Sequence, residues 1–460
     1  MKKVFRNFFG FILILGIICI IGFIVYANFN IAPYITNIEI SDSKRFDDQV
    51  IFNISIGNYF FKFNKDTWCL LSLDESVPTK DDSGWIRAEA GYCSFTVNSG
   101  DYNVFVKDKY GNINDLKSQS VVINKLLDIK TNKEVIYMWK GREEVLTYEL
   151  STIGEINADI IWKSDNDNVA TIDENGKVTG VDYGETYVRA ISDTGKSKEV
   201  KVIVSKYINK PGLNYQKDYV YCNQFNSSEA DMIDKILFDR IKTAGYGTRA
   251  GVIAAARFLT VEFAYRIPYF AENGRLNNYE PYKHVDGEGR YYHRGLYLNE
   301  NKFKDITSKF VGPCTWGCKL QTFTELPEFK YGDYYPNGLD CSGFVTWALL
   351  NGGFDVGDIG AGENLEHNDL DDLGTKVYIS DELMNSGKVK VGDLIGLNGH
   401  MAILAGWDDS NYYIAESLNN TGGVVITTVA KNKLVHNSIY KYIILMDEVY
   451  KNDGNYTNMW

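Results

Sequence analysis

Proline and histidine are scarce in this chain, at 8 and 5 of 460 residues, and its 48 basic residues are outnumbered by 60 acidic ones. The formal charge of −12 argues against nucleic acid as a partner, because binding a phosphate backbone needs clustered Lys and Arg that displace counterions. Neutral sugars and short peptides need no such cluster and stay open as ligands. With so few histidines, each one is informative. No charged residue occurs between Phe8 and Ala27, and about 20 apolar residues in a helix span a hydrocarbon core. Lys2, Lys3 and Arg6 precede that run, which places the basic flank in the cytoplasm and everything after about residue 30 outside. The run reads as a retained anchor, residues 1–30. Cleavage after Val25-Tyr26-Ala27 is the alternative, although the stretch is long for a cleaved signal. Cys19 follows Ile18 rather than a small residue, which argues against a lipoprotein anchor.

A chain of 460 residues is too long for one core and suggests about three domains. The use of 32 tyrosines beside so little proline suits β-rich domains and sugar-contacting surfaces. Residues 36–124 carry short alternating runs, such as Val50 to Ile56 and Tyr102 to Asp108, separated by turn signals at Asp81 to Gly84 and Tyr110 to Asn112. That pattern predicts an Ig-like β-sandwich. Residues 126–205 are sharper still. Trp162, the Val169-Ala170-Thr171 strand, the Asn175-Gly176 hairpin turn and the alternating strand from Thr186 to Ala190 resemble the bacterial Ig-like domain of group 2. A spacer role is the expected one for such a module. Asp165, Asp167 and Asp173 do not have the spacing of a calcium loop and read as turn residues.

Residues 206–228 lack periodicity and read as a linker. From there the pattern turns helical. Ser228 is the expected cap of a helix bearing Ile233, Ile236, Leu237 and Ile241, and a second helix is expected from Thr248 to Tyr265. Residues 229–447 read as one α+β domain and 448–460 as a tail.

Two segments carry chemistry. Gly338-Leu339-Asp340-Cys341-Ser342-Gly343-Phe344 runs into an apolar helical stretch, which places Cys341 at a helix N-terminus. There the helix dipole and backbone N–H groups favour the thiolate and can hold an oxyanion, and Ser342 is a candidate oxyanion or substrate-orienting residue. Asp340 orients or caps the turn. Val391-Gly392-Asp393-Leu394 then leads to Gly399-His400-Met401, a strand, a turn and a histidine opening another strand. A base set across from a helix-borne cysteine is the Cys/His arrangement of papain-like hydrolases.

Together these segments resemble the NlpC-type family of cell-wall cysteine peptidases, through the Asp-Cys-Ser-Gly turn and the Gly-Asp-Leu turn ahead of the histidine. Ala254 to Phe258 and Ile267-Pro268-Tyr269-Phe270 resemble its leading helix and its Pro-Tyr element. The resemblance implies a papain-like fold, Cys341 as nucleophile, His400 as base, and an oxyanion or substrate-orienting role for Tyr269. Its polar residue after the catalytic histidine maps to Glu416, with Ser417 or Asn419 as alternatives in a shifted register; a related wall-amidase family also uses Glu there. The chain departs from the pattern at Ala271-Glu272-Asn273, where the family has Gly-Gly, and in an insertion at about 273–335. That insertion holds Tyr279, Tyr282, Tyr291, Tyr292, Tyr297, Trp316 and Tyr331, expected either as a flap with its own core or as a cleft wall that stacks on sugars. His284 and His293 lie in it too and are not expected to be catalytic.

The expected whole is a multidomain protein: an N-terminal transmembrane helix, two Ig-like β-sandwiches and a C-terminal α+β papain-like cysteine hydrolase. Its expected activity is hydrolysis of a peptidoglycan stem-peptide amide outside the cell, with no cofactor and no metal. The expected partners are peptidoglycan stem peptides and glycan, and the bacterial membrane. An N-acetylmuramoyl-L-alanine amidase or a transferase on the same fold is one alternative, and a non-catalytic surface binding protein another. Among the remaining cysteines, Cys69 and Cys93 can pair in an oxidising setting. Cys314 and Cys318 lack a second Cys/His pair at ligand spacing, so free thiols or a local disulfide are expected rather than zinc.

Overall fold

A computed structural model describes residues 2–41, 49–59, 65–121, 125–153, 158–213, 217–271, 294–303, 307–308, 312–322, 325–357, 359–361, 369–419 and 422–460. Tyr279, Tyr282, His284, Tyr291, Tyr292 and His293 lie outside them. One helix, Lys2–Asn30, contains the apolar run, and its span from Arg6 to Asn30 holds an unburied stretch apolar enough to cross a bilayer. It fits a membrane anchor or a signal sequence.

Two β units follow. In the first, strands Tyr34–Ile40, Val50–Gly57 and Tyr92–Val97 form one sheet, and Thr67–Ser72, Ile86–Arg87, Gly100–Asp108 and Ile113–Val121 form another. Alternation puts Phe52 and Ile54 from one sheet against Val104 and Val106 from the other. The expected Cys69–Cys93 disulfide forms and joins the two sheets. In the second unit, Ile160–Ser164, Gly184–Ser192, Ser197–Val204 and Val135–Met138 lie in that order in one sheet. Ala170–Ile172 and Lys177–Gly180 make the predicted hairpin. Gly176 turns it at φ +78°, where an added Cβ would fall 2.4 Å from the Leu146 carbonyl oxygen. Only glycine fits both constraints. Asp173 accepts from the N–H groups of Asn175 and Lys177, as a turn residue does.

The segment read as a linker is not one. Tyr207, Ile208, Val220 and Phe225 are buried in the core of the C-terminal half, and Asn209, Gly212 and Val220 donate backbone bonds to residues 261–266. Its aromatic content, without helical period, is what a strand-like strap looks like in sequence. The first helix, Ser227–Ala244, is capped by Asn226 in a capping box with Glu229, not by Ser228. The second ends early: Arg249–Arg257 is α-helical and Phe258–Glu262 is a π-turn, whose carbonyls at Leu259 and Thr260 accept from Lys217 Nζ. Nor is 448–460 a free tail. Tyr450 is buried, and the carbonyls of Thr457 and Met459 accept from Arg257.

Six antiparallel strands form the C-terminal sheet, in the order Thr375–Tyr378, Tyr442–Leu445, Leu394–Leu397, His400–Trp407, Asn411–Leu418, Gly423–Ala430. One face, with Met401, Ile403 and Ala415, packs on the helix Cys341–Gly352; the other, with Ala402, Leu404 and Ile414, packs on Leu383, Leu434 and Tyr440. The Gly-Asp-Leu turn is tied down by a fully buried ion pair, Arg249 Nη1 to Asp393 Oδ1 at 2.7 Å, while Asp393 also accepts from the N–H groups of Lys390 and Met446. Asp393→Ala leaves two N–H groups and a guanidinium without their buried acceptor. It is expected to cost about 3 kcal/mol or more, read as a lowered melting temperature of the full chain.

Within the insertion, Tyr297 and Trp316 are fully buried, with Tyr297 tilted against Trp316 and Trp316 edge-on to Trp347 of the Cys341 helix, so they belong to the main core and not to a sugar-facing wall. Tyr331 is exposed. Cys318 pairs with Cys222, 96 residues away, and not with Cys314, which is a buried thiol outside any disulfide. Glu300 lies at 3.5 Å from Cys318 Sγ and 3.9 Å from Cys222 Sγ, but with both sulfurs in the disulfide neither is a thiolate that could hold a metal.

Candidate active site

Cys341 is the first residue of the helix Cys341–Gly352. Asp340 has extended backbone, and its Oδ1 accepts from Gly343 N at 2.7 Å, while Phe344 N donates to its carbonyl. This is an N-cap, and it leaves the first N–H groups of the helix without an intrahelical acceptor. The Ser342 hydroxyl donates to Asp340 Oδ1 at 3.1 Å, so any oxyanion role of Ser342 falls to its backbone N–H. Beyond the cap the helix is mostly apolar and buried, with Phe344, Val345, Trp347 and Leu349 fully enclosed. The turn before Cys341 is pinned from outside by Leu339 N donating to Pro268 O at 3.0 Å and by Ser417 Oγ donating to Leu339 O at 2.7 Å. At Gly338 an added Cβ would sit 1.8 Å from the Pro268 oxygen. The Pro-Tyr element therefore lies against the turn that presents Cys341.

His400 opens its strand beside Cys341, close enough for the sulfur to act on the charge of its ring. Ile403 pairs with Ala415 across to the next strand. Continuing that register sets Glu416 opposite Ala402 and diagonal to His400, on one face. Glu416 is fully buried, and its Oε2 lies 2.8 Å from His400 Nε2, which leaves Nδ1 for the thiol. Burial opposes charge on the imidazole, but the hydrogen bonds and negative charge of Cys341 and Glu416 outweigh it and raise His400 from 6.5 to about 9. The ring is held as imidazolium below that pH and loses its proton as pH rises through it.

The alternatives to Glu416 are occupied elsewhere. Ser417 has the opposite parity and bonds Leu339, and Asn419 bonds Glu328. The Tyr269 ring lies 6.0 Å from Phe329 in a cluster with Phe270 and Tyr335, and its N–H donates to Gly422 O. One residue had no signal in the sequence: the Tyr440 hydroxyl donates to Glu416, 2.8 Å from Oε1 and 2.9 Å from Oε2. It lies just ahead of the strand Tyr442–Leu445, which is not a neighbour of the Glu416 strand in the sheet. Cys314, by contrast, sits in apolar surroundings that push its thiol up to about 12.

An uncharacterized protein of Clostridium acetobutylicum is 25% identical over 205 residues, covering 42% of this chain and 47% of that one. The chain thus spans about half the length of that relative. Among solved structures, a C-terminal 282-residue fragment of intimin, in complex with the intimin-binding domain of its translocated receptor, aligns with 48% of this chain and 78% of its own at 14% identity, with a TM-score of 0.25. Domains 4 and 5 of the S-layer protein SbsC align with 24% of this chain and 66% of their own at 21% identity, with a TM-score of 0.18. Residues 129–203 match the family described as Bacterial Ig-like domain (group 2). The chain is multidomain, and one of its parts is a bacterial Ig-like domain of group 2.

Proposed function

We propose that this protein is a membrane-tethered, extracellular peptidoglycan hydrolase that cleaves a stem-peptide amide with Cys341. What supports the reading is one arrangement: a cysteine at a capped helix N-terminus, a histidine beside it whose charge the sulfur favours, and a buried carboxylate on a nitrogen of that histidine. On this reading the C-terminal half is a papain-like domain of NlpC type, and the Ig-like units hold it away from the membrane.

The Cys341 thiolate attacks the amide carbonyl, and backbone N–H groups at the helix start take the oxyanion. The C–N bond breaks as His400 passes its proton to the leaving amine, which leaves a thioester on Cys341. Water then gives a proton to His400 and adds to the thioester, releasing a carboxylate product and the thiolate. Glu416 holds the ring in one tautomer and stabilises its charge throughout. Because the leaving amine needs the His400 proton, the acylation rate falls as pH rises through about 9.

The test is purified peptidoglycan treated with the full chain in detergent. Each amide cut frees one new amino group and no reducing sugar. Absence of new amines, with the chain still bound to wall, favours the non-catalytic surface role instead. The family preference of the fold selects the bond from γ-D-glutamyl to the diamino acid, and an amidase would free the amine of L-alanine.

A further inference from the structure

Glu416 is a fully buried carboxylate with two side-chain donors on it, the His400 ring N–H and the Tyr440 hydroxyl. A charge taken out of water depends on every donor it keeps. Tyr440 is itself buried, at 4% exposure, and straddles both carboxylate oxygens, with its ring 6.4 Å from that of His400. It precedes the strand Tyr442–Leu445 and rises from the small core under the sheet, where Leu404, Ile414 and Leu434 surround it. Burial and the Glu416 charge push its phenol up, so it remains a donor at any working pH.

We propose that Tyr440 is a positioning residue of the site: it fixes the rotamer and charge of Glu416 and so governs how tightly His400 holds its proton. This rests on reading Cys341 and His400 as a catalytic pair. The charged or titratable groups facing His400 are Cys341 from the helix, Glu416 from the neighbouring strand and Tyr440 through Glu416. When His400 loses its proton, Glu416 is left as a lone buried anion, and Tyr440 becomes its principal donor. Removing that hydroxyl therefore makes deprotonation of His400 harder. Removing the carboxylate charge makes it easier. The two changes have opposite signs.

The test is a ring NMR titration of His400 in the full chain with labelled histidine, the signal assigned by its loss in His400→Ala. Tyr440→Phe is expected to raise the His400 midpoint by about half a pH unit or more, while Glu416→Gln lowers it. A 3,5-difluorotyrosine at position 440, a stronger donor of nearly the same shape, is expected to move the midpoint down and so separates donor strength from packing. On wall, Tyr440→Phe is expected to lower kcat about tenfold with KM little changed. An unchanged midpoint in both Tyr440 variants, or a fall in Tyr440→Phe, overturns the proposal. If the midpoints shift as expected but Cys341→Ala still digests wall, the Tyr440–Glu416–His400 linkage stands and the catalytic reading falls.

Discussion

The full chain carrying Cys341→Ala is expected to lose peptidoglycan hydrolysis by at least about a thousandfold, with its melting temperature moved by no more than a few degrees. The separation of the two effects follows from the cap. Asp340 accepts from Gly343 N, and Leu339 is held by Pro268 and Ser417, so the helix start survives loss of the sulfur, whose own bond to the Gly399 carbonyl is a long one at 3.9 Å. Wall digestion and thermal melting of the same preparation check both halves. His400→Ala is expected to produce a loss of similar size, and the double variant no more than either alone, because the two residues act as a unit.

Thiol labelling should be nearly as selective. Cys69, Cys93, Cys222 and Cys318 are in disulfides, and burial raises Cys314 to about 12. At mildly acidic pH iodoacetamide is therefore expected to alkylate Cys341 faster than Cys314 by on the order of a hundredfold. His400→Ala removes the imidazolium beside the sulfur and should bring the two rates to within a few fold. Glu416→Gln should have a smaller effect, since Gln can still accept the ring N–H. Mass spectrometry of tryptic peptides at timed quenches gives each rate. A faster Cys314, or a Cys341 rate indifferent to His400, contradicts the pair.

Local signals made part of this site readable. An Asp before Cys341 and a Gly two residues after it make an N-cap, because capping is a relation between near neighbours. His400 and Glu416 share a face because side chains alternate along strands, and the same rule sends Ser417 to the opposite face to hold Leu339. The group 2 module was legible for a similar reason: Trp162, Gly176 and the Ala170–Gly180 hairpin lie within one short stretch of chain. What stayed hidden depends on contacts made at long range. Tyr440 meets Glu416 only after the sheet closes, Cys222 finds Cys318 across 96 residues, and no period marks Tyr207, Val220 and Phe225 as core. Tyr297 and Trp316 left a flap core and a sugar-binding wall both open, because an aromatic residue has the same letter in a core as on a cleft.

The most direct measurement is the mass of muropeptide products formed by the full chain in water enriched in oxygen-18. Hydrolysis through a Cys341 thioester predicts one heavy oxygen in the single new carboxylate, at the stem-peptide amide that was cut, and none with Cys341→Ala. Uncut muropeptides, products that end at a glycosidic bond, or the same labelled product from Cys341→Ala would contradict it.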